Sequence, residues 1–161
     1  MQTMNFGSRV QGLAVLVALM LLPTAYAVAG SNRDNPTLDW LPPGIDWNAA
    51  ATLEIRLEDY DYIPNEFELR RDTPYRLILN NISNSVTHDL VDLAFFHAVV
   101  LDKIHVDGVE LTTPHIHQLK LRPNSKATLY LVPKLVGAYA IYCSVPGHKA
   151  EGMDGRVSII P

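Results

Sequence analysis

One stretch of this sequence gathers residue types that bind a soft metal: Tyr142, Cys143, Ser144, Val145, Pro146, Gly147, His148, Lys149, Ala150, Glu151, Gly152 and Met153. It reads Cys-x4-His-x4-Met. Thiolate, imidazole and thioether are ligand types that suit copper, since sulfur favours Cu(I) and nitrogen serves both oxidation states. Each residue alone means little: a buried Cys is usually a small hydrophobe and a Met a gap-filler. The set is more telling, because the only Cys of the chain, a Pro-Gly turn, a His and a Gly-Met pair fall within eleven residues. Two His, one Cys and a weak axial Met make a trigonal site in which copper carries single electrons. The second His must come from elsewhere, and His88 is the best candidate. It closes the polar loop that begins Asn81-Ile82-Ser83-Asn84-Ser85 and precedes Asp89-Leu90.

Those side chains meet only if strands carry them to one place. Leu53, Ile55 and Leu57 alternate with Glu54, Arg56 and Glu58, the pattern of a half-buried strand. Phe67 and Leu69 continue it after Pro64-Asn65, and Tyr75, Leu77 and Leu79 alternate with Arg76, Ile78 and Asn80. His117, Leu119 and Leu121 alternate too, Pro123-Asn124-Ser125 turns the chain, and Ala127, Leu129 and Leu131 follow. Those two runs are expected to form a hairpin. Residues 137–143 and 155–160 read as the last two strands, so the ligand stretch is the loop between them. Residues 93–106 stay open between one helical turn at 94–98 and a strand at 99–106, because periodicity does not decide a short apolar run. Phe95 and Phe96 belong to the core on the main reading, or to the surroundings of the metal on the lesser one. Seven to eight short strands with turn signals about every ten residues predict an all-β Greek-key sandwich, with that short helical insert. In such a sandwich, His88 and the Cys143 loop can meet at one end of the two sheets.

The chain has 161 residues, 48% hydrophobic and 19% charged, with a net charge of -4, which suits one folded domain. No basic cluster tracks phosphates, so nucleic acid is not an expected partner. Residues 1–29 read as a signal peptide: Arg9 precedes an unbroken apolar run at 13–22, Pro23 breaks it, and Ala25, Ala27 and Ala29 offer small residues for cleavage. Ten apolar residues are short for a membrane span. An uncleaved anchor is the alternative; a mature form without a membrane span, in the periplasm or secreted, is the expectation. Residues 30–52 read as an extended leader that packs Trp40 and Trp47 on the domain or serves as a tether, and 53–161 as the domain. A lone Cys in an exported protein forms no internal disulfide and is either a liability or a working thiol.

Residues 53–161 resemble the cupredoxin family of small blue-copper proteins. The resemblance is carried by the strand Tyr75-Arg76-Leu77-Ile78-Leu79-Asn80, then Thr87-His88-Asp89, Gly137-x-Tyr139, Tyr142-Cys143, Pro146-Gly147-His148, Gly152-Met153 and Gly155. The loop spacing is similar to that of rusticyanin and of small plastocyanin- or azurin-like proteins. The resemblance implies a copper-holding Greek-key sandwich with one type 1 site whose ligands are His88, Cys143, His148 and Met153. A binuclear copper centre needs two cysteines in this loop. Nitrite reductases and multicopper oxidases of the family place a His beside the ligand Cys, where this chain has Tyr142 and Ser144.

The expected function is therefore a soluble, monomeric one-electron carrier that meets redox partner proteins, and not an enzyme. The alternative is a copper chaperone or buffering protein of the same fold; a third reading is an electron-entry module of an enzyme. His115 and His117 would share one face of a strand and could bind a second metal given a third ligand. The simpler reading makes them solvent-facing. His97 and His105 lie among apolar residues and are not expected to be ligands. The exposed turn at Val145, Pro146 and the His148 ring edge is the expected docking area for partners.

Overall fold

The computed structural model describes residues 41–112 and 115–161. The signal-peptide reading of 1–29 and residues 30–40 of the leader, Trp40 included, fall outside them. Among the described residues no helix is long and apolar enough to cross a membrane.

Alternating apolar side chains form strands because successive residues of an extended chain face opposite sides. Eleven strands result among the described residues: β1 Ala51–Glu58, β2 Asp61–Ile63, β3 Glu66–Arg70, β4 Tyr75–Asn81, β5 His88–Val91, β6 Val99–Val106, β7 Val109–Leu111, β8 Gln118–Leu121, β9 Lys126–Pro133, β10 Gly137–Tyr142 and β11 Asp154–Ile160. They make a six-stranded sheet in the order β2-β1-β4-β9-β6-β7 and a five-stranded sheet in the order β3-β11-β10-β5-β8. The inward residues of both sheets, among them Ile55, Leu57, Leu77, Leu79, Leu129 and Leu131 from one and Phe67, Leu69, Ile141, Val157 and Ile159 from the other, build a single core. The architecture is an all-β sandwich. The count exceeds the expected seven to eight because β2, β5 and β7, at three or four residues, are too short to show a period.

The open segment at 93–106 resolves into both proposed elements. Helix α1, Leu93–His97, is capped by Asp92, whose carboxylate accepts from Ala94 N and Phe95 N at 3.0 and 3.3 Å. A side-chain acceptor at this position satisfies helix N–H groups that have no partner of their own. Phe95 and Phe96 enter the core, with ring contacts to each other and from Phe95 to Tyr139. Strand β6 follows and turns at Asp107-Gly108, both at positive φ, into β7.

One expectation is overturned. β8 and β9 do not form a hairpin: β8 pairs with β5 in one sheet, and β9 pairs with β4 and β6 in the other. The turn at Pro123-Asn124-Ser125 exists, with Asn124 at φ 55°, but it carries the chain around the edge of the sandwich. From the leader, Trp47 packs edge-on against Tyr130 with centroids 5.4 Å apart.

Two pairings set the end of the sandwich where the ligands gather. β1 and β4 run parallel, with Leu57 opposite Asn81, so the β1–β2 turn lies beside the loop leaving Asn81. β5 and β10 run antiparallel, so His88 begins β5 at the end where β10 finishes with Tyr142. Gly155 lets β11 pass close to the Asn65 backbone, a space a Cβ would occupy.

Candidate metal centre

Residues 143–153 form a turn closed by its own backbone. His148 N donates to Val145 O at 3.1 Å, Glu151 N to Gly147 O at 3.0 Å and Met153 N to His148 O at 2.9 Å. Cys143 N then donates to Met153 O at 3.0 Å, so the two ends of the turn meet. Gly147 and Gly152, at φ 90° and 109°, supply conformations that other residues rarely adopt. The result brings Cys143, His148 and Met153 inward, at 1%, 6% and 0% exposure.

His88 reaches the same place from β5 and is fully buried. One ligand atom from each of His88, Cys143 and His148 lies within 4.8 Å of the other two, the only such group of three or more among the described residues. Cys143 Sγ is 3.4 Å from His148 Nδ1, and the two imidazole centroids are 5.0 Å apart. Met153 is joined to the group through its backbone bonds to Cys143 and His148.

The loop before His88 is held by Asn81, itself fully buried. Its Nδ2 lies 2.9 to 3.1 Å from the carbonyls of Val86, Leu121 and Arg122, and its Oδ1 accepts from Ser83 N at 3.1 Å. His88 Nε2 lies 3.2 Å from Asp59 Oδ1, on the β1–β2 turn. His88 Nδ1 has no partner, the only buried side-chain nitrogen or oxygen among the described residues in that state. An unpaired buried nitrogen is costly unless something fills the site. Burial pushes the His88 imidazole below its ordinary value, against the pull of Asp59. Burial likewise pushes the Cys143 thiol up, opposed by the backbone N–H groups of Asp89 and Val145 at its sulfur. The donor set of thiol, two imidazoles and a thioether, with one imidazole nitrogen left open, fits a soft metal such as copper.

Sequence reasoning missed the residues that hold the ligands. Asp89 is fully buried, and its carboxylate accepts from Ser144 N at 2.6 Å, Ser144 Oγ at 2.7 Å and Gln118 Nε2 at 2.7 Å. Burial pushes its pKa up, but the Ser144 and Gln118 donors outweigh that and hold the carboxyl below its ordinary range. Tyr62 OH donates to Asp89 O at 2.5 Å. The signal available in the sequence was a carboxylate next to the candidate ligand His88 and a hydroxyl next to Cys143.

Tyr60 also went unnoticed. Its ring stands edge-on to His148 at 5.0 Å and is 43% exposed, so the surface over the ligand is a tyrosine rather than a bare imidazole edge. Val145 is half-buried and Pro146 exposed beside it. His115 and His117 are exposed and precede β8 instead of lying on it, and they join no group of three ligands among the described residues. His117 borders a cleft with Val91, Asp92, Leu93 and Tyr142. His105 Nε2 pairs with Glu110 at 2.6 Å, and His97 is exposed on α1.

No family model matches the sequence, and no curated protein matches it. Solved structures do. The chain is similar to dithionite-reduced auracyanin from the photosynthetic bacterium Roseiflexus castenholzii, with TM-score 0.50 and 23% identity over 70% of this chain and 99% of that one. It is similar to auracyanin B, with TM-score 0.50 and 22% identity over 70% and 90%. A multi-copper oxidase from Pseudomonas thermotolerans aligns with TM-score 0.56 and 20% identity over 71% of this chain but only 31% of the oxidase. Likeness at this level of identity establishes a shared fold.

Proposed function

The chain has the cupredoxin fold, and on that basis we propose that it is a one-electron carrier holding one type 1 copper ion through His88, Cys143, His148 and Met153. The observation that carries the reading is that His88, whose buried Nδ1 has no partner, brings a ring nitrogen within 4.8 Å of ligand atoms of Cys143 and His148. A copper ion bound there would supply the Cu(II)/Cu(I) couple. The protein's part is to keep its ligands still. Cys143, His148 and Met153 belong to a turn that bonds to itself, and His88 is gripped on a buried strand, so little needs to move when one electron arrives or leaves. Tyr142 and Ser144 flank the thiol, so no neighbouring imidazole leads from it to a second metal.

Redox partner proteins would approach over Tyr60, whose exposed ring packs on His148, and over Val145 and Pro146 of the same turn as His148. The apolar run at 13–22 and the small residues after it support export, so those partners are sought among periplasmic or secreted proteins.

The test is to load the purified protein with Cu(II). An intense blue colour from thiolate-to-copper charge transfer is expected, lost in Cys143→Ser while the circular dichroism of the sandwich persists. A colourless complex with an ordinary tetragonal spin-resonance signal overturns the site. Cycles of reduction and reoxidation in the presence of a chelator separate the carrier from its alternative. Retained copper supports electron transfer, and copper lost at each reduction identifies a delivery or buffering protein.

A further inference from the structure

The β1–β2 hairpin closes with Glu58 opposite Asp61, which leaves Asp59 and Tyr60 as a two-residue tip. Both touch the metal centre: Asp59 Oδ1 lies 3.2 Å from His88 Nε2, and the Tyr60 ring packs on His148. Tyr60 takes φ 73°, a conformation bulky side chains seldom adopt. The tip is thus held in an unusual shape, and that shape lets neighbouring side chains reach two different imidazoles.

Asp59 is itself held. The Ser83 side chain lies within reach of it. Ser83 Oγ accepts from Val86 N at 3.0 Å, which leaves the hydroxyl proton for the carboxylate. Ser83 N is in turn fixed by Asn81 Oδ1. The loop that delivers His88 therefore also aims the carboxylate at it. His88 is fully buried, and among the described residues Asp59 is the one hydrogen-bond partner of its ring.

Resting on the copper reading above, the geometry points to Asp59 as a positioning residue of the metal centre: its carboxylate accepts the Nε2 proton of His88, fixing the tautomer that leaves Nδ1 as a free donor toward Cys143 and His148. An imidazole needs one nitrogen bare to bind a metal, and the partner of the other nitrogen decides which one. A carboxylate in that role also makes the imidazole a stronger donor. The position on a separate hairpin, 29 residues from His88, makes the grip a product of the tertiary fold.

The test uses the full chain and two variants, Asp59→Asn and Asp59→Ala. In the metal-free protein at one neutral pH, nitrogen NMR of the His88 ring reads the tautomer. The Nε2–H form is expected in the parent and a mixture in Asp59→Ala. In the loaded protein, competition with a chelator is expected to show copper held about ten- to a hundredfold more weakly in Asp59→Ala. Asp59→Asn should fall between, because its amide oxygen still accepts but without the charge. Its reduction potential should rise, since a less electron-rich imidazole supports Cu(II) less. Parent-like tautomer and copper affinity in Asp59→Ala, or an Nδ1–H parent, overturns the inference. A parent that binds no copper defeats the function proposed above, while the tautomer measurement still decides the role of Asp59.

Discussion

Replacing Asp89 by Ala should loosen the site by a calculable amount. β5 and β10 share a single register pair, Tyr142 with Val91, and toward the ligands the Asp89 carboxylate takes over from the ladder. Three donors lie at 2.6 to 2.7 Å from it. A hydrogen bond to a charged group contributes about 1.5 to 3 kcal/mol. Burying the carboxylate costs several kcal/mol in return, to order of magnitude. The Ser144 hydroxyl and Gln118 can turn toward water, which leaves Ser144 N as the main group without a partner. The net loss in Asp89→Ala is about 3 kcal/mol, within the range for broken buried networks. At about 3 to 4 °C per kcal/mol for a domain of this size, the melting temperature should fall by roughly 10 °C. Asp89→Asn keeps one acceptor for Ser144 N, and its amide can face a reoriented Ser144 hydroxyl or Gln118 carbonyl, so it should lose about 1 kcal/mol. The assay is reversible urea unfolding of the reduced, metal-free protein, with amide hydrogen exchange at Ser144 as the local readout. A loss below about 1 kcal/mol in Asp89→Ala, or an unchanged exchange rate at Ser144, would refute the view that this carboxylate ties the two ligand strands together.

Met153→Gln should keep a coloured site but lower its reduction potential, because a harder oxygen ligand favours Cu(II); an unchanged potential by voltammetry removes Met153 from the ligand set. Away from the site, Asp107 accepts from Lys126 N at 3.0 Å and from Ser125 Oγ at 2.9 Å, and these bonds hold its carboxyl below its ordinary 3.8. A depressed folded-state pKa means a contribution present above 3.8 and lost as pH falls through the lower folded value. Asp107→Asn, which tolerates the same positive φ, should therefore melt below the parent at pH 7 and together with it in strong acid; an equal deficit at both pH values excludes the charge as the cause.

How much could be read beforehand depended on how local the cause was. Leu53, Ile55 and Leu57 announce β1 because one face is core and the other solvent, and Cys143, His148 and Met153 announce a ligand turn because they lie within eleven residues. β5, by contrast, is His88-Asp89-Leu90-Val91, with its first three residues buried, so no alternation exists to read. The supposed β8–β9 hairpin failed because a turn at Pro123-Asn124-Ser125 reports the local bend and not which sheet each arm joins. Asp59 and Asp89 look like ordinary surface carboxylates until the fold sets Ser83, Gln118 and Ser144 beside them. Their roles belong to tertiary contacts that no window of sequence contains.

The self-bonded turn also bears on the unfolded chain. Three of the four proposed ligands remain close neighbours when the sandwich melts, and only His88, 55 residues before Cys143, is lost to distance. A ligand that binds the denatured ensemble as well as the native state stabilises the fold by less than its native affinity suggests. Copper added to this protein should therefore raise its thermal midpoint less than the tightness of the folded site implies. The shortfall measures what the Cys143–Met153 segment can hold by itself.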